Sequence, residues 1–132
     1  ERSRGLGDVY KRQILDEPTA GLDPNSKHQV MSLIKKIQIE ENKTIILVSH
    51  DMDDVARYSD EVVVMNKGTI VEKSNPRNLF NQKTQLLKWH IEFPKVVKLQ
   101  KDIEKKYNML FPKLAMNEEE FVKLYKEWHH EE

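Results

Sequence analysis

The sequence predicts an α/β fold, and three observations carry that expectation. Ile14-Leu15 and the run "TIILVS" (Thr44 to Ser49) are short apolar stretches, as expected of parallel strands covered on both faces. Between them Val30, Leu33, Ile34 and Ile37 recur at helical spacing and give a core-facing stripe. The order strand, helix, strand, helix, strand follows along the chain, and it is the order of α/β proteins.

Residues 1–13, "ERSRGLGDVYKRQ", do not match what comes after. A buried strand leading into Asp16 should be nearly all apolar, yet Lys11, Arg12 and Gln13 stand there. The hexamer "DVYKRQ" resembles the in-frame translation of a transposon-end adapter used in sequencing libraries. Residues 1–13 therefore read as a non-native or irregular segment outside the fold.

The remaining elements follow from local chemistry. Ile14 to Glu17 ends a strand. Asp23 suits a helix N-cap and Pro24 the first helical position, so a helix should run to about Glu41. Asn42-Lys43 turns the chain into "TIILVS". "DMDDVARY" (Asp51 to Tyr58) reads as a short helix. "EVVVMNKGTIVEK" reads as two strands joined at Asn66-Lys67-Gly68. "NPRNLF" opens another helix at Pro76. Beyond Asn81 the chain turns Lys- and Glu-rich. A proline-led helix from Pro94 to near Asn108 and a last helix started by Asn117 and Glu120 are expected there. The predicted division is an α/β part over residues 14–80 and a helical extension over residues 81–132.

Composition limits the function classes. The chain has 132 residues, room for one compact domain or a piece of a larger one. Its 22 Lys and Arg balance 22 Asp and Glu, which removes any long-range charge argument for a nucleic-acid partner. There is no cysteine, so disulfides and thiolate metal sites are excluded. No apolar run approaches the roughly 18 residues of a membrane-spanning helix. No charged-then-apolar leader is visible, and the start at Glu1 rather than Met points to a fragment or a processed product. His129 and His130 read as a solvated helix end, because adjacent helical residues do not share a face.

The chemistry-bearing stretches are "ILDEPTAGLDP" (Ile14 to Pro24) and "ILVSHD" (Ile46 to Asp51). Loops at the carboxyl ends of parallel strands are where α/β proteins hold ligands. Asp16, at such a tip, suits support of a hydrated Mg²⁺, a hard cation that prefers oxygen. Glu17 points the other way, because side chains alternate along a strand. It suits polarising a water for attack on phosphorus. Adjacent parallel strands would bring Glu17 and His50 to one sheet edge. Each residue also has a plainer reading: Asp16 and Glu17 as strand-end polar residues, Asp23 as an N-cap, His50 as a backbone-bonded histidine.

Taken together, these residues resemble the ATP-binding-cassette (ABC) ATPases. The match covers the apolar-apolar-Asp-Glu of the Walker B strand, the Ala20-Gly21-Leu22-Asp23 D-loop and the switch histidine, His50. The resemblance implies the C-terminal half of a P-loop NTPase domain with parallel strands, followed by a small helical C-terminal extension. It implies ATP and Mg²⁺ as cofactors, with Asp16 supporting the metal through water. Glu17 would be the catalytic carboxylate and His50 the catalytic switch that senses the γ-phosphate. Asp23, like Asp16 a cofactor-binding residue, would work across a dimer interface and help couple two nucleotide sites.

Within that family, "SHDMDDVARYSDEVVVMNKGTIV" and the helical tail are similar to the energy-coupling factor (ECF) importers of vitamins and metal ions. This implies an ATP-hydrolysing subunit at the cytoplasmic face of a prokaryotic membrane. Its partners would be a second homologous ATPase subunit, a transmembrane coupling subunit and a substrate-binding membrane subunit. Another ABC importer class is the alternative, as is a soluble ABC protein acting on ribosomes or nucleic acid. Ala20-Gly21, where translation-associated members usually carry Asn-His, argues against the last. No Gly-x-x-x-x-Gly-Lys-Ser/Thr loop and no Leu-Ser-Gly-Gly-Gln signature occur, the glycines being Gly5, Gly7, Gly21 and Gly68. The chain alone is therefore expected to be inactive.

Overall fold

The computed structural model describes residues 12–130. The chain forms two compact units, one ending at His50 and one beginning at Asp51.

The first unit is a strand-helix-strand crossover. Strand β1 (Arg12–Asp16) and strand β2 (Thr44–Val48) pair in parallel, from Arg12 opposite Thr44 to Asp16 opposite Val48. Helix α1 (Pro24–Glu40) connects them. The parallel pairing agrees with the apolar strand pattern. Two corrections come with it. Arg12 and Gln13, expected outside the fold, are the first two residues of β1; the rest of that expectation, through Lys11, lies outside the described residues. Both side chains are exposed, so their polarity costs nothing. Nor are both faces covered: Ile14, Ile46 and Val48 remain about two-fifths exposed, at 41%, 43% and 44%.

Asp23 starts α1 as its N-cap, and Pro24 occupies the first turn. The apolar stripe of α1 is only partly inward. Met31 is buried, Val30, Ile34 and Ile37 are half-buried, and Leu33 is exposed.

The second unit begins with α2 (Met52–Tyr58), followed by strands β3 (Val62–Asn66) and β4 (Thr69–Ser74). These strands pair antiparallel as a separate two-stranded sheet, with a bulge between Val64 and Met65. Lys67 (φ 53°) and Gly68 (φ 77°) both lie in the left-handed region. Two such residues in succession give the turn whose twist matches a two-residue hairpin.

Four helices complete this unit: α3 (Pro76–Phe80), α4 (Lys83–Lys88), α5 (Lys95–Tyr107) and α6 (Glu118–His130). Proline heads α3, with Asn75 as its cap. Asn108, in the left-handed conformation at φ 51°, ends α5. Asn117 caps α6, its Oδ1 accepting from the Glu120 amide at 2.9 Å. One hydrophobic cluster joins Ala56, Val64, Leu79 and Phe80 to Leu86, Val97, Phe111, Leu114 and Leu124. The core is thus continuous across residue 81, where the extension was expected to begin.

A fully buried amide organises the extension. The Gln100 side chain donates to the Lys113 carbonyl at 2.7 Å and accepts from the Ala115 amide at 2.8 Å. Glu104 adds a bond from the Phe111 amide at 3.0 Å. Phe111, Phe121 and Trp128 then pack edge to face over this loop.

Candidate functional site

Asp16 closes β1 opposite Val48. One further rung forms beyond it, the Glu17 amide donating to the Val48 carbonyl at 2.8 Å. Glu17 itself has φ 49°, a left-handed value uncommon outside glycine. Pro18 would ordinarily push the preceding residue toward extended backbone. The rung to Val48 and a bond from the Ala20 amide to the Glu17 carbonyl at 3.1 Å hold Glu17 against that preference. Backbone held in a sparse region marks a residue whose side-chain direction is fixed by its surroundings.

The loop then turns tightly. The Leu22 amide donates to the Thr19 carbonyl at 3.2 Å, and Gly21 takes φ 80°. Nothing lies within 4 Å of where a Gly21 Cβ would stand, so backbone conformation, not space, calls for glycine there.

His50 follows β2 at the same edge of the parallel pair. Its Nε2 lies 3.5 Å from Glu17 Oε2. The imidazole is 94% exposed and the Glu17 side chain 33%. The gap is longer than a direct N–H···O hydrogen bond and leaves both groups able to meet one polar group placed before them.

Asp23 is separately engaged. Ser26 donates to it twice, from the amide to Oδ1 at 2.8 Å and from the hydroxyl to Oδ2 at 3.1 Å. The Ser26 amide, aided by its hydroxyl, holds the Asp23 carboxyl below the ordinary carboxylate range. In this chain the capping role uses both of its oxygens.

Of the four residues singled out in the sequence, the structure brings Glu17 and His50 together. Asp16 stands exposed at the tip of β1, and Asp23 sits at the head of α1. Among the described residues no group of three or more His, Asp or Glu side chains could hold a metal. Asp16 alone supplies one oxygen donor. That fits only a hydrated Mg²⁺ completed by water and phosphate oxygens. Sequence reasoning missed the left-handed Glu17; the proline after it was the nearby signal that its backbone is constrained.

No family model matches the chain. The energy-coupling factor transporter ATP-binding protein EcfA2 of Staphylococcus epidermidis is 99% identical over 119 residues, 90% of this chain and 42% of that protein. EcfA2 of Staphylococcus aureus is 57% identical over 118 residues, 89% of this chain and 41% of that protein. Among solved structures, cbiO1 from Clostridium perfringens, part of the ABC transporter complex cbiONQ, superposes with a TM-score of 0.52. It is 38% identical and covers 73% of this chain and 38% of its own. The fold of this chain is that of part of an ABC ATPase domain. The chain spans about two-fifths of the length of these curated relatives, 42% and 41%. In this chain both parallel strands end at one sheet edge, with Glu17 after one and His50 after the other.

Proposed function

We propose that the full-length protein bearing this sequence is the ATP-hydrolysing subunit of an ECF-type importer of vitamins or metal ions. The observation that carries the reading is the 3.5 Å approach of Glu17 to His50 at the end of the parallel strands. The relatives called energy-coupling factor transporter ATP-binding proteins support it.

Glu17 takes the proton of a water as that water's oxygen bonds to the γ-phosphorus of ATP. The bond from phosphorus to the bridging oxygen breaks, and ADP leaves with the electron pair. His50 donates a hydrogen bond to the terminal phosphate and keeps the water in line with Glu17. Asp16 is the residue that would hold a hydrated Mg²⁺ at the strand tip. When bound, that ion neutralises charge on the phosphate oxygens. Asp23 caps α1 and presents the loop to a second ATPase subunit.

Transport follows from assembly. Two homologous ATPase subunits dock at the cytoplasmic face of a transmembrane coupling subunit, and a separate membrane subunit binds the substrate. No described helix is long and apolar enough to cross a membrane. The P-loop that grips phosphate is not in this sequence, so ATP turnover belongs to the longer protein.

Glu17→Gln, placed at the equivalent position of the full-length relative in its membrane complex, tests this. Turnover should vanish while ATP is still bound. A variant that hydrolyses ATP at the unmodified rate would refute the assignment.

A further inference from the structure

A cleft of about 270 Å³ opens within the second unit, between α2, α3 and the segment leading into α6. Three residues lining it, Ala56, Pro76 and Met116, are buried and apolar. Two guanidiniums line it as well, Arg57 from α2 and Arg77 from α3. Among the described residues that line it, Glu120 is the one carboxylate. The arginine-bearing wall is held from behind: Asp53 Oδ1 accepts from the Lys95 amide at 2.7 Å, pinning α2 to the first turn of α5.

The polar groups of the cleft are chiefly donors, because its acceptors are already engaged. Asn75 and Asn117 use Oδ1 as helix caps, accepting from the Asn78 amide at 2.8 Å and the Glu120 amide at 2.9 Å. That orientation leaves the Nδ2 amino group of each as a donor, with no acceptor among the described residues. Arg57 spends Nη2 on Glu118 and, at 3.1 Å, on Glu119. Arg77 spends Nε on the Leu114 carbonyl at 3.1 Å and Nη2 on Glu120 at 2.9 Å. Nη1 of each arginine meets no acceptor among the described residues. Glu120 Oε1, for its part, also accepts from the Met116 amide at 2.7 Å.

A ligand suited to this lining brings acceptors and negative charge. A guanidinium fork meets carboxylate and phosphate oxygens in the same bidentate way. The glutamates now on Arg57 do not bar exchange, since their side chains are 76% and 75% exposed. Ion pairs so exposed contribute little, and an incoming oxyanion displaces one at small cost.

We infer that this cleft binds a small molecule bearing an oxyanion, a carboxylate or a phosphate, held between Arg57 and Arg77 with the Asn75 and Asn117 amino groups as further donors. Bound there, it joins α2, α3 and the start of α6 through one ligand. The inference does not depend on the proposed ATP chemistry.

No P-loop occurs in this sequence, so inorganic phosphate can be titrated into the chain without that competitor. Sodium phosphate and, separately, sodium acetate are added at constant ionic strength set by chloride. Saturable NMR shifts are expected for the Asn75 and Asn117 side-chain amides and the Arg57 and Arg77 guanidiniums. Arg57→Gln should weaken binding by about tenfold or more, the usual effect of losing a charged hydrogen-bond partner. Glu120→Gln keeps an oxygen for Arg77 and the Met116 amide but removes the opposing charge, and should tighten binding. Saturation by phosphate alone would mark a phosphate ligand and by acetate alone a carboxylate, and either supports the site. Saturation by neither anion, or an affinity that both substitutions leave unchanged, would overturn it. Should Arg57→Gln lose its dispersed spectrum, Glu120→Gln decides alone. Should the parent chain give none, acetate titrated into the full-length relative and its equivalent variants decides by the same criteria.

Discussion

Glu17 Oε2 faces His50 Nε2 at 3.5 Å, while the Glu17 amide is bonded to the strand that delivers His50. Backbone and side chain of one residue are thus tied to the same partner strand. His50→Ala in the full-length relative should lower turnover by about a hundredfold or more, the usual scale for removing one positioned hydrogen-bond donor to charge in the transition state. The proposed roles place both residues on one water, so the Glu17→Gln/His50→Ala double variant should be no slower than the worse single. Phosphate release under single-turnover conditions measures both. Multiplying defects would show that the residues work independently.

Gln100 should be intolerant of an apolar replacement of similar size. Gln100→Leu would leave the Lys113 carbonyl and the Ala115 amide without their partner. The expected loss is about 2 kcal/mol, chiefly the cost of stranding the buried Ala115 amide, since the Lys113 carbonyl is only partly buried. Urea unfolding followed by Trp89 and Trp128 fluorescence reads it, and an unchanged midpoint would contradict the assignment.

Asp23 should make stability depend on acid. Its carboxyl titrates below the ordinary range because the Ser26 amide and hydroxyl bond its charged form. The folded value lies below the unfolded one, so the stabilisation is present above roughly pH 4 and fades as pH falls through the folded value. Asp23→Ala should therefore melt at a lower temperature than the parent at pH 7. The two curves should converge in strong acid. Asp23→Asn, which keeps an acceptor oxygen, should lack this pH dependence.

Gly68 should be needed for its backbone alone. Nothing lies within 4 Å of a Cβ placed there, but its φ of 77° suits glycine. Gly68→Ala should cost about 1 kcal/mol. Lys67→Asn, at φ 53° in the same turn, should gain a few tenths of a kcal/mol. Denaturant midpoints for both variants check the sign of each effect.

Local signals carried most of what was legible in the sequence. Asp23-Pro24 and Asn75-Pro76 begin helices because each pairs a capping oxygen with a residue already lacking its amide proton. Asn66-Lys67-Gly68 turned the chain as its composition required. The meeting of Glu17 and His50 followed from two apolar strands running parallel. Helix α4 escaped notice: Gln82 gives it no side-chain cap, and of its two leucines only Leu86 is buried. Burial of Gln100 was hidden too, since a polar residue among lysines reads as surface. The Arg57 pairing spans 61 positions to Glu118 and leaves no local pattern. Leu33 and Ile46 matched core patterns yet are exposed, at 57% and 43%, because periodicity assigns a face without saying what covers it.

The amide at the head of α5 borrows its acceptor from 42 positions upstream. Closing so long a loop has an entropic cost before any contact rewards it. The tail should therefore mature late and together with the segment that completes it, rather than as an autonomous hairpin of helices. During synthesis the template emerges before the helix it finishes. Pulse-labelled amides of Lys95 to Lys98 protected earlier than those of Met52 to Tyr58 would reverse that order.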